Sequence, residues 1–183
     1  MPIKLVLSVL AFSVTFSWYA YADNFIDMDV PGGKSGVFKE VAAKQGMEMY
    51  CQFKVEEVYT DPSWLPLVTI MLDEGQENDK TSQYVKVKTQ FVPDEDGTIS
   101  HSFSTGGFER DFDEPFLMHW QRPSYFVLRL AWTSEGVIRY AASYNDAILG
   151  AGVFSNKAFE PVYFRVALSG VHAAMACDVE SVF

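Results

Sequence analysis

Positive charge, histidine and cysteine are all scarce in this chain. Its 183 residues hold 14 lysines and arginines against 24 aspartates and glutamates, with three histidines and two cysteines. The deficit of positive charge argues against general nucleic-acid binding, which needs a basic footprint to displace counterions. The cysteines form no Cys-x-x-Cys pair and lie at no zinc-ligand spacing from His101, His119 or His172, so no metal or redox centre is implied. There is no Gly-x-Ser-x-Gly, His-Glu-x-x-His, phosphate-cradling glycine loop or dinucleotide fingerprint. No cofactor is therefore expected. Asn-x-Ser/Thr is also missing, which fits a bacterial periplasmic or secreted origin. No internal repeat and no low-complexity tract interrupts the chain.

The N-terminus carries one lysine, Lys4, then an apolar stretch from Leu5 to Phe16, then Ala20-Tyr21-Ala22 before Asp23. That order is the signature of a secretory signal peptide over residues 1–22, cleaved after Ala22. The stretch falls short of the roughly 20 apolar residues a spanning helix needs, and nothing later approaches that length. Residues 23–183 are then expected to fold as one exported β-sandwich domain, periplasmic or secreted. Losing Lys4 leaves 13 basic side chains against 24 acidic ones.

In an oxidising compartment the two cysteines, Cys51 and Cys177, read as one disulfide, with two buried free thiols as the alternative. The bond would close a loop worth on the order of 5 kcal/mol in the chain-entropy model. It would also require the first and last strands to be neighbours.

Ser35 to Gly46 ("SGVFKEVAAKQG") places Val37, Val41 and Ala42 on one helical face between a serine cap and a glycine stop, predicting a short N-terminal helix. Beyond it the pattern is β throughout. Alternation runs through "MYCQFKVEEVY", "LPLVTIML", "YVKVKTQFV", "PFLMHW", "YFVLRLAW", "VIRYAA" and "VYFRVAL", punctuated by Pro, Gly, Asp and Asn. Many short strands and an aromatic content of 15% point to an antiparallel β-sandwich of the jelly-roll kind.

Residues 126–142, "FVLRLAWTSEGVIRYAA", can be read in more detail. A two-residue turn would mix core and solvent faces. A three-residue loop, Ser134-Glu135-Gly136, with the glycine left-handed, pairs Trp132 with Ile138, Leu130 with Tyr140 and Leu128 with Ala142 on the core face. Arg129 then faces outward across from Ala141, and Arg139 across from Ala131. Parity in "PVYFRVALS" likewise turns Val162, Phe164, Val166 and Leu168 inward and Tyr163, Arg165 and Ala167 outward. Val85, Val87 and Phe91 face inward in the strand before Pro93.

Four groups of side chains are candidates for chemistry. Arg129, Arg139 and Arg165, with Tyr163 nearby and small alanines between, offer planar forks suited to carboxylate, sulfate or phosphate. The plainer reading is that they solubilise a sheet face. "FERDFDEPF" gathers Glu109, Asp111, Asp113 and Glu114. "PDEDGT", with Asp94, Asp96 and Gly97, alternates carboxylates as calcium loops do, but lacks the downstream glutamate, so a hairpin turn explains it better. In "FLMHWQR", inward Phe116, Met118 and Trp120 leave His119 outward. Trp64, in the proline-flanked loop "TDPSWLP", is the tryptophan most exposed by position and the best single candidate for stacking on a sugar face.

Glu109-x-Asp111-x-x-Glu114 resembles the catalytic signature of the retaining β-glucanases built on concanavalin A-like jelly rolls. That resemblance implies Glu109 as nucleophile, Glu114 as acid/base and Asp111 as their tuner, acting across a glycosidic bond. Arg110 stands where that family prefers an apolar residue, and Pro115 follows directly. More broadly, the hairpin at 126–142, the late strand "YFRVALSG" and the closing "CDVESVF" resemble a concanavalin A-like or carbohydrate-binding-module jelly roll. The galectin signature is absent, although "WTSEGVIR" has its tryptophan, glutamate and arginine in that order. The function expected is an exported, non-catalytic binding module for a glycan or another envelope component, an anionic one if the arginines are used. A glycoside hydrolase using Glu109, Asp111 and Glu114, or a structural or inhibitory protein with a protein partner, are the alternatives.

Overall fold

A computed structural model describes residues 25–61, 63–75, 83–107, 110–155 and 158–181, with backbone alone over 110–117. The proposed signal peptide lies outside these residues. Ten strands follow in order: β1 (Ile26–Ala42), β2 (Met47–Val58), β3 (Leu67–Asp73), β4 (Tyr84–Pro93), β5 (Ile99–Gly107), β6 (Arg110–His119), β7 (Ser124–Trp132), β8 (Ile138–Tyr144), β9 (Ala147–Phe154) and β10 (Tyr163–Ser181). All the pairings are antiparallel. The architecture is an all-β jelly roll.

One path of hydrogen-bonded neighbours, β6-β5-β4-β3-β10-β2-β7-β8-β9, makes both layers of the sandwich because its middle member bends. The first part of β10, Tyr163 to Ser169, pairs with β3, and the part from Val171 onward pairs with β2. Gly170 is the joint. Its φ of +58° suits glycine, and a Cβ there would stand 3.0 Å from the Tyr59 carbonyl oxygen. β1 follows β10 across the same bend, with its register broken between Val30 and Ser35. The first sheet is thus β6-β5-β4-β3 with the early part of β10, and the second is β9-β8-β7-β2 with the late part.

The core lies between these sheets. Val68, Ile70, Leu72, Val85, Val87 and Phe91 from one meet Met49, Phe53, Phe126, Leu128 and Leu130 from the other, all at 0–1% exposure. Alternating burial along β2, β4 and β7 follows directly from the period-two patterning. Cys51 and Cys177 stand opposite each other on β2 and β10 and are joined by a disulfide, so an early and the last strand are indeed neighbours.

The helix expected over 35–46 does not form: residues through Ala42 are extended and paired with β10. Twelve register positions on a neighbouring strand outweigh a weak helical stripe, and an irregularity between Val37 and Lys39 turns Phe38 onto the core while Val37 is left exposed. Val162, expected inward, precedes β10 and is 44% exposed.

Candidate functional site

The arginine hairpin adopts the expected register. Trp132 pairs with Ile138, Leu130 with Tyr140, Leu128 with Ala142, Arg129 with Ala141 and Ala131 with Arg139. Gly136, at φ +75°, closes the turn. Its amide donates to the Thr133 carbonyl at 3.0 Å, and the Thr133 amide donates to the Val137 carbonyl at 2.8 Å. Leu128 and Leu130 are fully buried, which obliges Arg129 between them to face outward.

On this outer face of the second sheet the register continues in rows. Glu180 of β10, Glu48 of β2, Ala131 of β7 and Arg139 of β8 form one row. Asp178, Tyr50, Arg129, Ala141 and Ala151 form the next. Alanines beside arginines leave a depression. It is a cleft of about 250 Å³ lined by Glu48, Arg129, Ala131, Arg139, Ala141 and the 133–135 turn. The Arg129 guanidinium lies over the Tyr50 ring, 4.8 Å from its centroid, and its Nε is 3.5 Å from Glu48 Oε1. Burial raises the Glu48 pKa above the ordinary carboxylate range; Arg129 opposes this and Glu180 adds to it.

Arg165 and Tyr163 lie elsewhere, on the first sheet. Arg165 does face outward, but it is closed off: its Nε is 2.7 Å from Glu40 and its Nη1 3.1 Å from Asp73, and it lies over the Tyr163 ring at 5.2 Å. Only 8% of the residue is exposed. A third place holds Trp64, 56% exposed in the β2–β3 connection. There Asp61 bridges to Trp64 and accepts from the Ser63 amide at 2.7 Å. That loop follows the end of β2 remote from Glu48.

His119, exposed at the end of β6 opposite Ser100, marks a fourth place. With Asp94, Glu95 and Asp96 it lines an open groove of about 520 Å³. The "PDEDGT" segment is the β4–β5 hairpin turn, stitched by Thr98 Oγ1 to Asp96 at 2.6 Å and by Ser100 Oγ to Asp94 at 2.6 Å. The Thr98 hydroxyl and amide hold the Asp96 carboxyl below its usual range. Among the described residues no group of three or more His, Cys, Asp or Glu is placed to hold a metal ion.

Glu109 and the side chains of Asp111 and Glu114 lie outside the described residues. The β6 backbone pairs Asp111 with Gly106 and has its irregularity opposite Phe103 to Thr105, where residues 113–115 are accommodated.

The side chain that sequence reasoning missed is Glu48. Alternation in "MEMYCQFK" puts it on the outer face with Tyr50. That β2 lies next to β7 follows only from the fold, and so the acidic partner of Arg129 was not visible in the hairpin itself.

No protein-family model and no curated protein matches the chain. Solved structures with similar coordinates include alginate lyase Aly36B, with a TM-score of 0.50 at 10% identity over 87% of this chain and 80% of that one. The Bacillus licheniformis β-glucanase gives 0.45 at 7% identity over 90% and 95%, and the Caenorhabditis elegans galectin LEC-6 gives 0.44 at 11% over 85% and 94%. The likeness is one of fold alone, an antiparallel β jelly roll resembling the concanavalin A-like folds.

Proposed function

We propose that this jelly roll is an exported, non-catalytic module that binds an anionic glycan in the cleft between Arg129 and Arg139. The reading rests on one observation above the rest. Two outward arginines, diagonal across a hairpin and floored by Ala131 and Ala141, line a single depression. Diagonal positions on adjacent strands are about 7 to 8 Å apart, within reach of two acidic groups on neighbouring sugars of a chain. Each guanidinium can present a planar fork to a carboxylate, and Tyr50 lies on the same outer face beside Arg129. Export after cleavage behind Ala22 is part of the proposal. The disulfide supports it, since such bonds persist in oxidising compartments. Among the described residues no helix is long and apolar enough to cross a membrane.

The test is a panel of neutral and acidic oligosaccharides offered to the full chain and to Arg129→Ala and Arg139→Ala. Binding of acidic members that weakens with salt, and that each substitution cuts by about tenfold, a loss of about 1.4 kcal/mol, is the expected result. Preference for neutral sugars, abolished instead by Trp64→Ala, would move the site to the β2–β3 loop. Hydrolysis of a β-glucan that Glu109→Gln removes would return the glycosidase alternative.

A further inference from the structure

Arg129 already faces a carboxylate, and it holds that carboxylate poorly. Glu48 Oε1 is at ion-pair distance, 3.5 Å, yet the buried Arg129 Nε makes no hydrogen bond. Both side chains border the open cleft, with 25% and 16% of their surfaces exposed. The guanidinium also lies over the Tyr50 ring, its Cζ 4.8 Å from the ring centroid.

We infer that Glu48 is an internal stand-in for a ligand carboxylate: the cleft takes the carboxylate of a uronic-acid saccharide, which displaces Glu48 from Arg129 as Glu48 takes up a proton. The inference rests on the glycan reading above and specifies its chemistry. A carboxylate arriving from solvent can engage a guanidinium through two parallel N–H···O bonds, which the long contact from Glu48 does not achieve. Once displaced, a charged Glu48 would remain in a half-buried place with Glu180 opposite it on β10, and Asp178 lies in the next row. The other ionisable groups around it are Arg129 on β7, Arg139 and Tyr140 on β8, and Glu135 in the turn. Burial already favours its neutral form. Protonation from solvent resolves the conflict and balances the exchange: one ligand anion enters as one proton is taken up.

Affinity for uronates should therefore rise as the pH falls from 7 to 5, a range in which the sugar carboxylate stays ionised, its pKa being about 3.5 as for other such carboxyls. Titration calorimetry of the full chain with hexagalacturonate, in buffers of different ionisation enthalpy, counts the protons. The wild type should take up protons on binding, averaging about half a proton per ligand between pH 7 and pH 5, which corresponds to about tenfold tighter binding at pH 5. Glu48→Gln should bind about tenfold tighter than wild type at pH 7, without proton uptake and without the pH dependence. Wild-type binding with no proton uptake, or Glu48→Gln binding no tighter than wild type, overturns the stand-in role and leaves the glycan reading intact. The proton count needs no variant, so the test survives if Glu48→Gln fails to fold. Equal binding of a sulfated oligosaccharide, with the same gain in Glu48→Gln, overturns the assignment to carboxylates. Absence of binding by every protein overturns both readings.

Discussion

The His101 ring packs 4.3 Å from the ring of Tyr144, centroid to centroid, across the gap between the two sheets. Phe126 meets it edge-on at 5.1 Å, and neither imidazole nitrogen has a hydrogen-bond partner. Burial lowers its pKa from 6.5 to about 4, so the folded protein keeps this histidine neutral.

Acid sensitivity follows with a definite sign. The unfolded chain takes up a proton at His101 below about pH 6.5, whereas the folded chain waits until about 4. Its contribution is thus complete above pH 6.5, shrinks as the pH falls through that window and is lost below about 4. The depression corresponds to a swing on the order of 3 kcal/mol. Urea unfolding of His101→Phe should show a shallower loss of stability between pH 6.5 and 4 than wild type; parallel slopes would show that the histidine is not responsible.

Arg165 and Arg139 should respond oppositely to truncation. Arg165→Ala leaves the buried Asp73 carboxylate without its guanidinium and should cost about 3 to 5 kcal/mol. Arg139→Ala, at an exposed position, should change stability by no more than about 0.5 kcal/mol. Denaturant midpoints of the two variants decide this, and a mild Arg165→Ala would mean that the first-sheet cluster contributes nothing net.

Removal of the disulfide by Cys51→Ala with Cys177→Ala should cost about 2 to 5 kcal/mol. The unfolded chain then regains the freedom of a loop with a sequence separation of 126. Thermal unfolding of the double variant beside reduced wild type should give matching midpoints; a stable double variant would place the bond among dispensable features.

Gly150 on β9 is a packing position. A Cβ there would stand 2.8 Å from Phe103 Cε1, contributed from β5 in the opposite sheet. Gly150→Ala should destabilise by about 1 to 3 kcal/mol, as overpacking does. Adding Phe103→Leu should recover part of that loss in a double-mutant cycle, and strict additivity would refute the contact.

Which features the sequence made legible depends on how local their causes are. Parity in β4 and β7 and the turn at 134–136 are set by neighbours in sequence, by alternation and by one left-handed glycine, and these were read correctly. The exposure of His119 follows from the same alternation, and that of Trp64 from its proline-flanked loop. The helix expected over 35–46 fails because Val37, Val41 and Ala42 fit a helical face as well as a strand, and only pairing with β10 decides between them. The three arginines could be called outward but not grouped: Arg165 falls on the other sheet because β10 serves both. Its partners Glu40 and Asp73, like Glu48 for Arg129, are distant in sequence and close only through strand order.

The bend of β10 at Gly170 also governs when folding can finish. β3 and β2 are made early and are linked by hydrogen bonds only through β10, so each presents a raw sheet edge to a growing chain until β10 is made. Joining of the two layers through hydrogen bonds therefore waits for the last of the described strands to be made.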